Sequence, residues 1–262
     1  MSELPLVLIT GAANGIGRAT ALELARNGVR MGLIDIDSTG LESLANELRD
    51  AGAGATFVAA TADVSWRWPL RQAVKEIEAA LGPVDVLVAC AGFGTLTLVP
   101  DLALDTLRHT FEVNMFGVAE SIEAVLPGML NRGRGHLVGV ASLAGYRGFP
   151  WMISYSASKA ALIVYLEALR PGLARRGITV TTACPGFVRT AMSTGVPYKR
   201  KVKMIEPEQA AQHLVRAILR RPRNCVFPWS MRMGLAILKL MPDRLFDWLM
   251  RRAGPEALAV DF

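Results

Sequence analysis

The stretch YSASK sets a phenol, Tyr155, and an ammonium, Lys159, four residues apart with only small side chains between them. That spacing is slightly more than one α-helical turn, so both groups leave the same helix face. A free tyrosine has a pKa of about 10 and is a poor base near neutrality. A neighbouring cation stabilises phenolate and lowers that value, which suits the pair to proton transfer. The plainer alternative is a helix surface with a solvated lysine. Only a ligand site beside the pair would decide between the two.

Such a site is written near the start of the chain. TGAANGIG, Thr10 to Gly17, places Gly11, Gly15 and Gly17 between an apolar run and a helical pattern. Glycines there allow a tight turn and let backbone N–H groups approach a pyrophosphate at the helix N-terminus. The next apolar run ends in Asp35, 18 residues beyond Gly17. A carboxylate at that point accepts hydrogen bonds from both adenosine ribose hydroxyls and repels a 2′-phosphate, which predicts NAD rather than NADP. Asn14 occupies the loop position where a basic residue would grip that phosphate, and Arg18 is the nearest cation placed to reach it. A nicotinamide takes up hydride, so the protein must handle the proton, and Tyr155 with Lys159 matches that task.

The elements that must position these groups alternate along the chain. Apolar runs at 6–9, 30–34, 56–60, 85–89, 136–140 and 178–183 are separated by helical patterns. In the first two of these, Leu22 and Ala25, then Leu41, Leu44 and Leu48, are expected to face inward. Continuously apolar strands joined by helices predict an α/β fold: a single Rossmann-like, doubly wound parallel sheet with helices on both faces. Ligands of such a sheet bind at the carboxyl ends of its strands. With no Pro/Ser-rich linker, repeat or low-complexity tract, residues 1–262 read as one domain with a C-terminal helical extension.

A chain that is 52% hydrophobic and 20% charged is globular rather than disordered. Its opening, with acidic Glu3 before a short apolar run, lacks the pattern of a secretory leader, and no uncharged stretch approaches bilayer length. Cys90, Cys184 and Cys225 lack metal-ligand spacing and are expected to be reduced thiols of a cytoplasmic protein.

With these residues placed, residues 5–225 resemble the short-chain dehydrogenase/reductase family. TGAANGIG matches its TGxxxGxG cofactor loop, including Asn14 and Ile16, and Asp63 with Val64 matches the acid segment beside the adenine. ACAG, with Ala91 and Gly92, stands where the family usually has NNAG, and YSASK matches YxxxK, 13 residues after Ser142. FEVNMFG supplies Asn114, and PGFVRT, with Pro185, Gly186, Val188 and Thr190, matches the loop holding the nicotinamide carboxamide. The resemblance implies a catalytic set of Asn114, Ser142, Tyr155 and Lys159. Ser142 would stabilise charge on the substrate oxygen, Lys159 would also reach the nicotinamide ribose, and Asn114 would hold a relay water. It also implies a homodimer or homotetramer. The departure, Cys90 for asparagine, predicts altered stability rather than lost activity, with an oxidisable thiol as the alternative.

The implied reaction is interconversion of a secondary alcohol and a ketone; a 3-oxoacyl-thioester reductase and a non-catalytic NAD(H) sensor are the alternatives. By the same resemblance, 191–204 closes over the substrate, carrying Met192, Val196, Tyr198 and Met204 among four basic residues. Phe93, Leu96, Phe149, Trp151 and Met152 add an apolar set, which suits a hydrophobic small molecule. The tail, 228–254, carries Met231, Leu235, Leu238 and Met241 at helical spacing, then Leu245, Trp248 and Leu249. From 197 to 252 there are 13 Lys and Arg against four acids, so basicity is concentrated here. Two basic amphipathic helices fit three roles: peripheral membrane contact, a pocket roof or subunit contact, or guidance of an anionic substrate. Nucleic acid is not expected, since no binding motif accompanies the charge.

Overall fold

Along the first strand, β1 (Leu6–Thr10), side chains alternate between two cores: Leu6 and Leu8 pack on one side of the sheet, Val7 and Ile9 on the other. This follows from the twofold period of an extended chain, and it requires helices on both faces. The computed structural model describes residues 5–50, 56–99, 102–194, 204–228 and 230–253. Within them β1 is joined by β2 (Arg30–Asp35), β3 (Phe57–Thr61), β4 (Val86–Ala89), β5 (Gly135–Val140), β6 (Ile178–Pro185) and β7 (Asn224–Phe227). All pair in parallel, in the order β3-β2-β1-β4-β5-β6-β7.

Helices α1 (Gly15–Ala25) and α2 (Ser38–Asp50) cover one face; α3 (Arg67–Leu81) covers the other. A near-continuous rod follows: α4 (Leu104–Phe111), a π-helical turn (Glu112–Phe116) and α5 (Gly117–Arg132). Next come α6 (Ile153–Ala174), the short α7 (Ala191–Thr194) and α8 (Pro207–Arg220). α5 and α6 lie with α3, and α8 lies with α1 and α2. Leu41, Leu44, Leu48 and Ala25 are buried as their spacing predicts, while Leu22 is only half-buried.

Two strand expectations need correcting. β3 is an edge strand with one neighbour, so its residues are half-buried or exposed rather than enclosed on both faces. β7 was not anticipated; its four residues are flanked by arginines and a proline, and only Phe227 is fully buried.

The order of strands reverses between β1 and β4, which opens a crevice at their carboxyl ends. The tail adds α9 (Ser230–Leu240) and α10 (Asp243–Ala253). They bring a third, smaller core of Trp151, Phe246 and Met250, against which Leu96, Phe149, Leu238 and Leu249 pack. The stripe α10 buries is therefore Phe246 and Met250, while Leu245 and Trp248 are exposed.

Candidate active site

Behind the carboxyl ends of β1, β4, β5 and β6 lies a cavity of about 880 Å³, a size suited to a cofactor with a small substrate. Backbone builds its first end. Gly11 has φ +69°, and a Cβ there would stand 2.6 Å from the Ala91 backbone. A Cβ on Gly17 would drive into the Gly11 carbonyl oxygen, and one on Gly15, at φ +53°, would meet Thr190 at 3.1 Å. The loop thus sits against β4 on one side and the segment after β6 on the other. No side chain caps the start of α1, so its leading N–H groups, beside Asn14, Gly15 and Ile16 in the cavity wall, suit a pyrophosphate.

Asp35 lines the cavity at the end of β2. Its carboxylate accepts from the Ala13 N–H at 2.8 Å and the Asp37 N–H at 3.0 Å. Asn14 donates to Asp37 at 3.0 Å. Hydrogen bonds from the Gly40 N–H and from Asn14 hold the Asp37 carboxyl below its ordinary range. Arg18 lies beside this end, donating to the Ala13 and Gly40 carbonyls at 3.5 and 3.2 Å, while its charge is paired with Glu47 at 2.8 Å. Asp63 accepts from the Ser65 N–H and hydroxyl, which fixes the turn carrying Val64 into the cavity wall. Pro185, which ends β6, and Gly186 and Val188 beyond it line the cavity with Thr190.

The reactive groups meet in the middle. Ser142 follows β5 and caps a 3₁₀ turn (Leu143–Gly145): its Oγ accepts from the Ala144 N–H at 3.1 Å, leaving the hydroxyl proton for a substrate oxygen. That turn presses on α6, where a Cβ on Gly145 would come 2.7 Å from the Lys159 carbonyl carbon. Tyr155 and Lys159 lie on α6 and both line the cavity, with Lys159 Nζ 5.7 Å from the Tyr155 ring centroid. Lys159 is buried and donates to the Val140 carbonyl at 2.8 Å. Burial pulls its ammonium down to about 8, against smaller opposing influences of Cys90 and Cys184.

Asn114 stands one step behind. It is fully buried in the π-helical turn and is not among the residues lining the cavity. Its amide donates to the Phe93 carbonyl and accepts from the Phe93 N–H, both at 2.8 Å, and donates to Ser158 Oγ at 3.0 Å. Only Gly92 separates it from the lysine: a Cβ there would lie 3.3 Å from Asn114 Oδ1 and 3.6 Å from Lys159 Nζ. Asn114 therefore holds the loop after β4 against α6.

Cys90 lies in the cavity wall, and burial pushes its thiol up to about 12.

Side chains build the far end. Phe93, Phe149, Trp151, Met152 and Met192 line it; Leu96 and Met204 do not, and Leu96 packs in the third core instead. Val196, Tyr198 and the basic residues at 199–203 lie outside the described residues. One contribution was not anticipated: His109, on α4, lines the cavity with its ring edge-on to Phe93, centroids 4.7 Å apart. Met231, Gly234, Leu235 and Leu238 of α9 form the roof, one of the three roles expected of the tail. Gly186 lets that roof seat closely, since a Cβ there would collide with Met231 Sδ. Lys239 stacks on Tyr146 at 3.9 Å, while Arg147 bonds Asp243 at 3.1 Å and stacks on Phe246 at 4.4 Å. The Ser142 turn and the tail are thereby fastened together.

Known proteins resemble this chain along most of its length. Residues 5–201 match the family model described as short chain dehydrogenase. The chain is 36% identical over 245 residues to an uncharacterized oxidoreductase of Myxococcus xanthus, covering 94% of this chain and 96% of that one. It is 34% identical over 254 residues to estradiol 17-beta-dehydrogenase 11 of Rattus norvegicus, covering 94% and 83%. Among solved structures, a short chain dehydrogenase/reductase from Burkholderia phymatum in complex with NAD superposes with TM-score 0.81 at 25% identity, covering 97% and 96%.

Proposed function

This chain belongs to the short-chain dehydrogenase/reductase family, and from that premise we propose that it interconverts a hydrophobic secondary alcohol and its ketone with NAD(H). The observation that carries the reading is one cavity holding Ser142, Tyr155 and Lys159 between a glycine-built cradle and an apolar far wall. The family oxidoreductase chemistry is settled by the match; the substrate class and the choice of NAD are the proposal.

The cradle fits a dinucleotide, because Gly11, Gly15 and Gly17 let the loop close on the Ala91 backbone, on itself and on Thr190, with the uncapped α1 N-terminus in the cavity wall. When bound, a nicotinamide accepts or supplies the hydride. The α1 N-terminus would face its pyrophosphate, Asp35 its adenosine ribose, Asp63 and Val64 the adenine side, and Pro185 to Thr190 the nicotinamide side. Two carboxylates, Asp35 and Asp37, with the nearby Arg18 charge paired to Glu47, disfavour a 2′-phosphate at this end.

Ser142 donates its hydroxyl to the substrate oxygen and stabilises charge developing there. Tyr155 gives or takes the substrate proton. The Lys159 ammonium stands 5.7 Å from the Tyr155 ring, where a positive charge assists proton transfer. Asn114 keeps Phe93 and α6 in register, so the wall and the acid–base pair hold a fixed spacing. Trp151, Phe149, Leu235 and Leu238 exclude water and reward apolar substrate surface. Relatedness to estradiol 17-beta-dehydrogenase 11 supports the same substrate class.

The test is reduction of NAD⁺ and NADP⁺ by a panel of hydrophobic secondary alcohols, run beside Tyr155→Phe. We expect turnover with NAD⁺ and loss of about 10²–10⁴ in the variant, whose NADH binding persists. A variant with unchanged turnover, or a wild type preferring NADP⁺, would overturn the corresponding part of the reading.

A further inference from the structure

Helix α9 is apolar on two opposite sides. Met231, Leu235 and Leu238 line the cavity, while Met233, Ile237 and Leu240 are 62%, 61% and 86% exposed. The second set follows an i, i+4, i+7 stripe, so it forms one face rather than scattered positions. α10 adds two more exposed apolar side chains, Leu245 and Trp248, each 49% exposed. A helix that is apolar all round is ordinarily covered all round. Here one side has its partner, the cavity and third core, and the other faces outward.

The charges on α10 are weighted to one sign. Arg244, Arg251 and Arg252 are exposed, and Arg252 stacks on Trp248 at 4.0 Å. Against them stand two acids, exposed Asp247 and Asp243, of which Asp243 is bonded to Arg147. An indole with a guanidinium against it places apolar ring and cation together, as at a boundary between hydrocarbon and phosphate. A second copy of this chain fits less well. Self-association through this face would set the same basic excess against itself. No described helix is long and apolar enough to cross a membrane, so the contact would be peripheral.

We propose that the outer face of α9 and α10 docks on an anionic lipid surface. Exposed Met233, Ile237, Leu240, Leu245 and Trp248 enter the acyl boundary, and the arginines meet lipid phosphates. The helix that touches lipid is also the cavity roof, so an apolar substrate dissolved in the bilayer would be held one helix thickness from the reactive groups. The docking stands whether or not the proposed reaction is correct, because its test reads no turnover.

The experiment is co-sedimentation of the full chain with phosphatidylcholine vesicles, with and without added phosphatidylglycerol, at low and high salt. We expect binding to the anionic vesicles, weakened by salt. Combining Ile237→Glu with Leu240→Glu should lower partitioning at least about tenfold. Arg251→Ser and Arg252→Ser should lower it about fivefold each. Both sets replace exposed side chains, so melting curves should match wild type. A wild type left in the supernatant with every vesicle, or variants that bind as well as wild type, would overturn the proposal. So would velocity sedimentation in which Ile237→Glu with Leu240→Glu breaks an oligomer that ignores vesicles, since the face would then be a subunit contact.

Discussion

At one end of the cavity Gly11, Gly15 and Gly17 bring backbone to the surface; at the other, Trp151, Met192, Leu235 and Leu238 bring side chains from segments far apart in the chain. The first end is made within one loop and tolerates almost no added atom. The second is assembled by packing two tail helices onto the loops after β4 and β5, and its shape depends on side-chain volume. A ligand that never varies can be met by backbone, whose positions are set by the sheet. A ligand that differs between relatives is met by side chains, which can change without moving the sheet. Binding and selectivity should therefore fail separately when the two ends are altered.

The strongest way to break that division is Gly17→Ala. Its Cβ would enter the Gly11 carbonyl, so the loop must shift, and NADH affinity should fall on the order of a hundredfold. Fluorescence titration of NADH measures it, and near-wild-type affinity would contradict the tight-cradle account. Leu238→Ala should raise KM for a long apolar alcohol about tenfold while the NADH dissociation constant stays put. Steady-state kinetics beside the same titration would reveal coupling if both constants moved together. The smallest effect sharpens the contrast: Gly234→Ala, in α9, places its methyl in open space and removes a helix-interior glycine. It should raise stability by about 0.5–1 kcal/mol in thermal or urea unfolding, the opposite sign to the same substitution at Gly17.

The same division decides what could be read before folding. Glycine spacing, Asp35 and the Ser142–Tyr155–Lys159 interval are local or rest on fixed distances along the chain, and these positions fall along one cavity. Six strands were visible as apolar runs; β7 was not, because NCVF is brief, opens with a polar residue and lies between arginines and proline. The tail showed helical spacing, yet Leu245 and Trp248 are outside and Phe246 and Met250 inside, since the direction of a helix face depends on what it packs against. His109 carried no signal at all. It reaches the cavity through the orientation of α4, and lies just outside the FEVNMFG motif that begins two residues later.

The π-helical turn at Glu112–Phe116 is a phase shifter. One residue more than an α turn rotates everything beyond it by about 100° around the helix axis. His109, before the turn, and Val113, within it, line the cavity; after it, Val118, Ile122 and Val125 look into the core. A single rod thereby serves both surfaces, and Asn114 sits at the point where the phase changes.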